Sequence, residues 1–355
     1  MLRLQGEIAR AIADEVKANV SPDVKARLAN ARPVDPRAHE AYLKGRFFFD
    51  KTTDGGFQKA TEYAQQAVQI DPSYAQAYGL MALSYWMSSV NAYGHLTDAE
   101  AADKTRAAAA KALAIDDTLA EPHVALGFVM LYHEWDWAGA ERELKRAIEL
   151  NPNFGLAHYS AYAWWLVFMG RQDEAVREAK RGLELDPFSP GACHSLASMY
   201  FFGRQYDEAL EQIRKCVEMF PDNRAVLGWF IRILHAKGMY DQEVAALQKF
   251  LTLAGKPSDA AALGRAYTLG GINGAWQWDL EQAKKARATR NEEAPLWLAG
   301  LYAFLGEKDK ALEWLERGYE EHDDRMYVLK ADPRFDSLRS DPCFQELLRR
   351  MNFPQ

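Results

Sequence analysis

The sequence has few cysteines and no excess of positive charge, and each of these features argues against a class of protein. Its three cysteines, Cys193, Cys216 and Cys343, form no Cys-X-X-Cys pair and no even set. This pattern argues against a zinc ribbon or a disulfide scaffold and favours a reducing, cytoplasmic compartment. Acidic residues outnumber basic ones by 50 to 43, giving a formal net charge of −7. A nucleic-acid partner is therefore disfavoured, because phosphate binding requires a positive surface.

Long apolar runs are also missing. The amino end carries charges at Arg3, Glu7 and Arg10, so it lacks the unbroken apolar core of a secretory signal. Residues 151–170 contain no Asp, Glu, Lys or Arg, but their first half is polar, which leaves an apolar part long enough only for a buried helix. The sequence thus predicts no membrane span. Apolar residues still make up 48% of the chain, which excludes wholesale disorder.

A large apolar residue recurs along the chain with a period of about 34 residues. It stands at Phe48, Tyr85, Met130, Leu166, Tyr200, Leu234, Tyr267 and Tyr302. A small residue lies three positions before most of these, where two helices could approach closely, as Ala163 does before Leu166. Prolines such as Pro152 and Pro187 close their units, because the residue before proline is pushed out of the helical region. Eight repeated units follow.

Each unit is predicted to form two helices. In the fifth unit Leu196 and Tyr200 share one helix face, and Ala209 and Cys216 share another. Between them lies Gly203, which we expect to adopt the left-handed conformation that ends the first helix. One hairpin cannot bury both of its apolar faces, so successive hairpins must stack. Stacked units that contact only their neighbours predict an elongated, curved molecule.

The pattern resembles the tetratricopeptide repeat family over about residues 38–322. The resemblance implies an all-α fold, a right-handed α-solenoid (superhelix) of about eight helical hairpins. Residues 1–37 then form amino-terminal helices and a linker, and residues 323–355 form a carboxyl-terminal capping segment. The spacing departs from the repeat pattern at insertions near residues 52–56 and 88–95 and at the link that contains Gly270, Gly271 and Gly274.

Both ends of the array carry helical patterns of their own. A stripe of Leu4, Ile8, Ile12 and Val16 predicts a helix before the repeats. After the repeats, Asp341 is expected to cap a helix that starts at Pro342 and covers the last hairpin.

Four motifs together resemble the carboxyl-terminal repeat region of bacterial multidomain regulators of the winged-helix, kinase or adenylate cyclase type. They are residues 5–13, residues 41–46, His133-Glu-Trp-Asp-Trp, and the carboxyl-terminal phrases Asp332-Pro-Arg-Phe and Asp341-Pro-Cys-Phe. No signature of those upstream domains stands in this sequence. The chain is then either a free-standing repeat protein or the tail of a larger one, and an upstream regulatory domain or self-association through the first helix both stay open.

The resemblance also implies a concave groove lined by the first helix of each unit. Its predicted peptide-binding residues are Tyr42, Arg46, Trp86, Phe128, Tyr132, Trp164, Phe168, His194, Phe201 and Phe202. So many aromatic residues favour an apolar or aromatic protein segment as the partner. The related carboxylate-clamp repeats, which hold chaperone tails, place Lys, Asn and Arg at these sites, and only Arg46 fits. The alternative is that the rings merely fill a tightly wound superhelix.

Candidate catalytic and metal sites are weak. His123, His158 and His194 lie at different places in their units, so three ligands would not converge on one metal. We find no nucleophile elbow and no phosphate-binding loop after a strand. The sequence therefore predicts no metal, no cofactor and a non-catalytic protein-interaction scaffold in bacterial signalling or regulation. The alternatives are a hydrolase using Glu121 or His194, or a small-molecule sensor using the same groove.

Overall fold

Helical hairpins follow one another along the chain in the computed structural model, which describes residues 34–51, 55–89, 96–290 and 295–353. The first four units are α1 (Pro36–Asp50) with α2 (Gly56–Ile70), α3 (Ala75–Met87) with α4 (Asp98–Ile115), α5 (Ala120–Phe128) with α6 (Trp137–Leu150), and α7 (Ala163–Phe168) with α8 (Gln172–Leu185). The next two are α9 (Pro190–Phe202) with α10 (Tyr206–Met219) and α11 (Arg224–Ala236) with α12 (Tyr240–Leu253). The predicted helix containing Leu4, Ile8, Ile12 and Val16 lies outside the described residues.

The last two units differ in their connection. The seventh is the long helix α13 (Pro257–Arg290), which bends sharply at Gly271, where φ is +60° and ψ is −154°. That backbone conformation is open to glycine and strained for other residues. The eighth unit is α14 (Pro295–Phe304) with α15 (Lys308–Glu320). The predicted α-solenoid of about eight hairpins is thus confirmed.

Small residues set the distance between paired helices, as the repeat predicted. A Cβ atom added to Gly127 would lie 2.3 Å from Leu144 Cδ2, and one added to Gly182 would lie 2.5 Å from Tyr159 Cβ. Ala163 and the equivalent alanines Ala82, Ala197 and Ala299 are fully buried. Because neighbouring helices pack this closely, one large apolar core extends from the first unit to the tail, with three smaller clusters beside it.

The turn inside the fifth unit departs from the prediction. Gly203 has φ of −77°, and the left-handed residue is Arg204, at φ of +58°. Glycines occupy the equivalent place in the neighbouring units, Gly170 at φ of +74° and Gly238 at φ of +66°. The prediction for Gly203 was wrong because the left-handed position lies one residue later in the turn.

The first helices of units three and four contain π-helical stretches, Val129–Glu134 after α5 and Ala157–Tyr162 before α7. Each widened turn shifts the following side chains around the helix axis. Val129–Glu134 ends in Trp135, at φ of +55°. The two irregular helices lie next to each other in the array, where the largest rings of the molecule accumulate.

Residues 323–353, here called the tail, follow α15. They form two 3₁₀ turns, Asp324–Val328 and Pro333–Leu338, and helix α16 (Pro342–Arg350). Asp341 caps α16 as predicted, by accepting a hydrogen bond from the Cys343 amide. The tail packs on the last hairpin, where Arg350 pairs with Glu316 at 2.7 Å. It therefore covers the face of the eighth unit that would otherwise be open.

The tail also reaches units far away along the chain. His322 lies just before the tail, and its Nε2 atom is 2.6 Å from the His133 carbonyl oxygen. The Trp137 indole N–H donates to the Met351 carbonyl oxygen at 3.3 Å. The Arg204 guanidinium pairs with Asp336 at 2.6 Å. The expectation that units contact only their neighbours was therefore wrong for the last unit and the tail.

Cys193 and Cys216 form a disulfide between α9 and α10, with their Cα atoms 5.7 Å apart. The cysteine pattern predicted no disulfide framework, and this bond corrects that expectation. Their bonding removes the cysteine-based argument for a reducing compartment. No helix within the described ranges combines the length and the apolar character that a bilayer crossing requires.

Candidate functional site

The first-helix face, formed by the first helices of successive units, starts in unit one with a polar region. Arg46 has 27% of its side chain exposed and lies 3.5 Å from Asp50. Tyr42 is half-buried against the Tyr74 ring, with ring centroids 5.2 Å apart. Burial raises the pKa of Tyr42 to about 12, so its hydroxyl stays protonated at neutral pH. This end of the predicted groove is accessible to solvent at Arg46.

The middle of the first-helix face is filled by a side chain from the tail. Tyr132 stacks on Trp86 with ring centroids 6.0 Å apart and meets Phe128 at 5.8 Å. The ring of Tyr327, in the tail, packs edge-on against Tyr132 at 4.5 Å and against Phe168 at 5.0 Å. Trp86, Phe128 and Phe168 are consequently at most 3% exposed. The predicted groove residues do converge here, and the segment that they contact is the tail of the same chain.

A second group of rings adjoins this contact and is called the aromatic cluster: Trp164, Phe201, Phe202 and Trp229. Trp164 lies 5.6 Å from both Phe202 and Trp229 between ring centroids. Trp229 also meets Phe201 at 5.8 Å and Phe202 at 5.7 Å. Trp164, Phe201 and Phe202 are at most 9% exposed. Their burial favours the alternative that these rings fill the superhelix.

Three residues of this face were missed by the sequence analysis: Tyr327, Trp229 and Arg232. Tyr327 lies outside the repeats, so no periodic signal marks it. Arg232 stands two periods of 34 residues after the predicted groove residue Trp164, and extending that spacing along the array would have found it. Trp229 stands one period after Ser195, which is not a predicted groove residue, and the sequence carries no signal for its inward packing.

The three predicted histidines are held apart. His123 Nδ1 lies 2.7 Å from a Glu143 carboxylate oxygen, and His158 Nδ1 lies 2.6 Å from one of Glu178. His194 has an Nδ1 atom without a hydrogen-bond partner, and burial lowers its pKa to about 4. Across the ranges that the structure describes, no three His, Cys, Asp or Glu side chains gather into a metal-binding group.

Residues 190–223 match the family model of the tetratricopeptide repeat. This stretch is similar to a single tetratricopeptide repeat. It covers the hairpin of α9 and α10, which carries His194, Phe201 and Phe202. Repeats of this kind stack into superhelices with extended concave binding surfaces, and they generally mediate interactions between proteins.

Two curated relatives share part of the array. The chain is 33% identical over 91 residues to the small glutamine-rich tetratricopeptide repeat-containing protein 2 of Mycosarcoma maydis. The aligned region covers 26% of this chain and 26% of that protein. It is 30% identical over 96 residues to the Hsp70-Hsp90 organizing protein 2 of Arabidopsis thaliana, covering 27% of this chain and 17% of that protein. The chain therefore spans about a quarter or less of the length of these relatives.

The fold is also similar to that of solved structures. The human IFIT1 dimer with PPP-AAAA matches with a TM-score of 0.50 at 15% identity, over 81% of this chain and 73% of that one. At this identity the similarity extends to the helical architecture alone.

Proposed function

We propose that this tetratricopeptide-repeat chain is a non-catalytic scaffold that binds an apolar or aromatic polypeptide segment on its first-helix face. The tail contact carries the proposal, because Tyr327, in the 3₁₀ turn Asp324–Val328, brings an aromatic side chain of the tail onto this face. Two rings from different units, Tyr132 and Phe168, hold it at 4.5 and 5.0 Å. A partner segment with a similar aromatic anchor would use the same place, in competition with the tail.

The chemistry of the face favours such a segment over an acidic one. The curated relatives include a protein named for Hsp70 and Hsp90, yet of the ten predicted groove residues only Arg46 carries a full positive charge. Around Tyr327 the neighbours are rings, and aromatic anchors are typical of the residues that dominate binding energy at interfaces. A role in bacterial signalling or regulation, in the cytoplasm, is part of the same proposal and follows from the resemblance of the four motifs to bacterial regulators.

A labelled synthetic peptide of residues 323–341 tests the proposal in competition with the tail. In the parent protein the tail occupies the site at the high effective concentration of a tethered segment. Replacing Tyr327 by Ala in the full-length protein removes two ring contacts of about 0.5–1.5 kcal/mol each. We expect the variant to bind the peptide about five- to 150-fold more tightly than the parent, measured by fluorescence anisotropy.

Two matched controls accompany this measurement. The Tyr327→Phe protein keeps the ring and should bind the peptide as weakly as the parent protein does. A peptide carrying Ala in place of Tyr327 should not bind the Tyr327→Ala protein. Equal binding of both peptides, or no binding of either, would contradict an aromatic binding site on the first-helix face.

A further inference from the structure

A cavity of about 370 Å³ lies beyond the aromatic cluster, between units five to eight and the tail. Its wall is largely apolar and includes Phe202, Trp276, Trp297 and Phe304. Phe304 lies 5.3 Å from Trp276 between ring centroids. The volume falls within the range of small-molecule sites and is more than twice the roughly 150 Å³ that suffices for benzene in an engineered cavity. A bicyclic aromatic group would fit.

One guanidinium faces this cavity without a carboxylate partner. Arg232, from α11, makes no hydrogen bond or ion pair with any described residue. Its Cζ atom lies 4.8 Å from the centroid of the Trp229 ring. Burial, together with nearby Arg334, lowers the pKa of Arg232 to about 10, so it remains charged at neutral pH. An unpaired charge in such a place is unfavourable unless a ligand supplies its counterpart.

The other charged groups that line the cavity compensate this charge only in part, through the attraction of the Asp332 carboxylate. Asp332 pairs with Arg334 at 2.6 Å, and Glu243 lies 3.1 Å from His235 Nδ1. Asp279 also lines the wall. These three carboxylates would repel a dianion, whereas one monoanionic group could reach Arg232. The Trp276 indole N–H, on the same wall, also lacks a hydrogen-bond partner.

We propose that this cavity binds a small aromatic monocarboxylate, whose carboxylate pairs with Arg232 and whose rings pack against Trp276 and Phe304. A planar carboxylate matches the fork of donors on a guanidinium, and the apolar wall would hold the ring system. The proposed site takes a small molecule and does not depend on the scaffold role proposed above. It gives the chain a way to respond to a metabolite as well as to a protein.

Titration calorimetry with 1-naphthylacetate on the full-length protein tests the proposal. The neutral 1-naphthylacetamide has nearly the same shape and should bind about ten- to a hundredfold more weakly, because it loses the charge-assisted hydrogen bonds. The dianion 1-naphthyl phosphate should also bind more weakly than the acid. No heat from the acid up to about 1 mM, or equal affinity for acid and amide, would overturn the proposal, and tighter binding of the phosphate would overturn the carboxylate assignment.

Variants of Arg232 separate binding from folding. The Arg232→Met protein should lose affinity for the acid by at least tenfold while its denaturation midpoint stays the same or rises, since a half-buried charge without an ion-pair partner has been removed. Arg232→Lys should retain part of the affinity. Arg265→Met is the matched control, because Arg265 is exposed on α13, and it should bind like the parent. Unchanged affinity in Arg232→Met would exclude Arg232 as the anchor.

Discussion

Replacing Trp164 by Ala distinguishes a filled superhelix from an open groove. The Trp164 side chain is 9% exposed and contacts three rings, with centroid distances of 6.0 Å to Phe168 and 5.6 Å to both Phe202 and Trp229. A solvent-facing ring that anchors a partner would instead leave the fold intact when truncated, at a loss of about 2 kcal/mol of binding. The two arrangements therefore predict different measurable effects on the same variant.

The expected loss of stability follows from what the ring buries. A tryptophan in a core buries about 150–250 Å², which at about 25 cal/mol per Å² corresponds to roughly 4–6 kcal/mol before alanine and local relaxation are subtracted. Measured Trp→Ala substitutions in cores cost about 3–5 kcal/mol. The partial collapse of neighbouring rings into the space reduces the cost. We expect the free energy of unfolding to fall by about 4 kcal/mol.

A guanidinium titration followed by far-ultraviolet circular dichroism measures this change. The matched control is Phe188→Ala, because Phe188 is 80% exposed at the start of the fifth unit, and it should change stability by no more than about 0.5 kcal/mol. If Trp164→Ala stays within about 1 kcal/mol of the parent, the ring is not part of the core and the burial argument is refuted.

Three further outcomes are expected. Gly182→Ala should lower the free energy of unfolding by about 1–3 kcal/mol, because the added Cβ would clash with Tyr159. Gly228→Ala has no atom within 4 Å of the added Cβ and should raise the free energy of unfolding by about 0.5–1 kcal/mol. The melting temperatures of the two variants should therefore shift in opposite directions. Reducing the Cys193–Cys216 disulfide, which closes a loop with a sequence separation of 23, should lower stability by about 3 kcal/mol, and thiol titration of the unfolded chain should rise from one group to three. Burial lowers the pKa of His194 to about 4, so the folded state favours the neutral ring. The free energy of unfolding should therefore fall by about 2–3 kcal/mol as pH falls from 6.5 towards 4. The His194→Gln protein should show a smaller dependence of stability on pH in this range.

The hairpins could be predicted from the sequence because each one depends on local spacing. Small residues such as Gly127 and Ala163 mark the positions where helices touch, and the period of about 34 residues repeats that mark along the array. Asp341 and Pro342 define a helix start by themselves. Patterns of this kind report which face of a helix is buried, and the structure agrees with them.

The contacts of the tail could not be predicted, because they join residues that share no period. Nothing around Tyr327 indicates that it meets Tyr132 and Phe168, and the groove was therefore predicted without an occupant. Arg204 illustrates the same limit. Its left-handed conformation, usually left to glycine, accompanies guanidinium hydrogen bonds to the Phe202 and Ala331 carbonyl oxygens at 2.6 and 3.0 Å. Those hydrogen bonds favour an arginine at this position, and the spacing of the repeats does not predict them.

The contact between His322 and the His133 carbonyl spans 189 residues, and it affects how the chain folds as it is made. A simple solenoid folds by adding each unit to its neighbour, but here the rings of units three to five remain uncovered until the tail leaves the ribosome. At about 5–20 residues per second, that delay lasts roughly 10–40 s. During this time an aromatic surface is exposed, and it can bind a chaperone or another nascent chain. The tail, which is synthesised later, thus completes the core of units formed much earlier, and a chain that stops short of the tail would leave that surface open to aggregation.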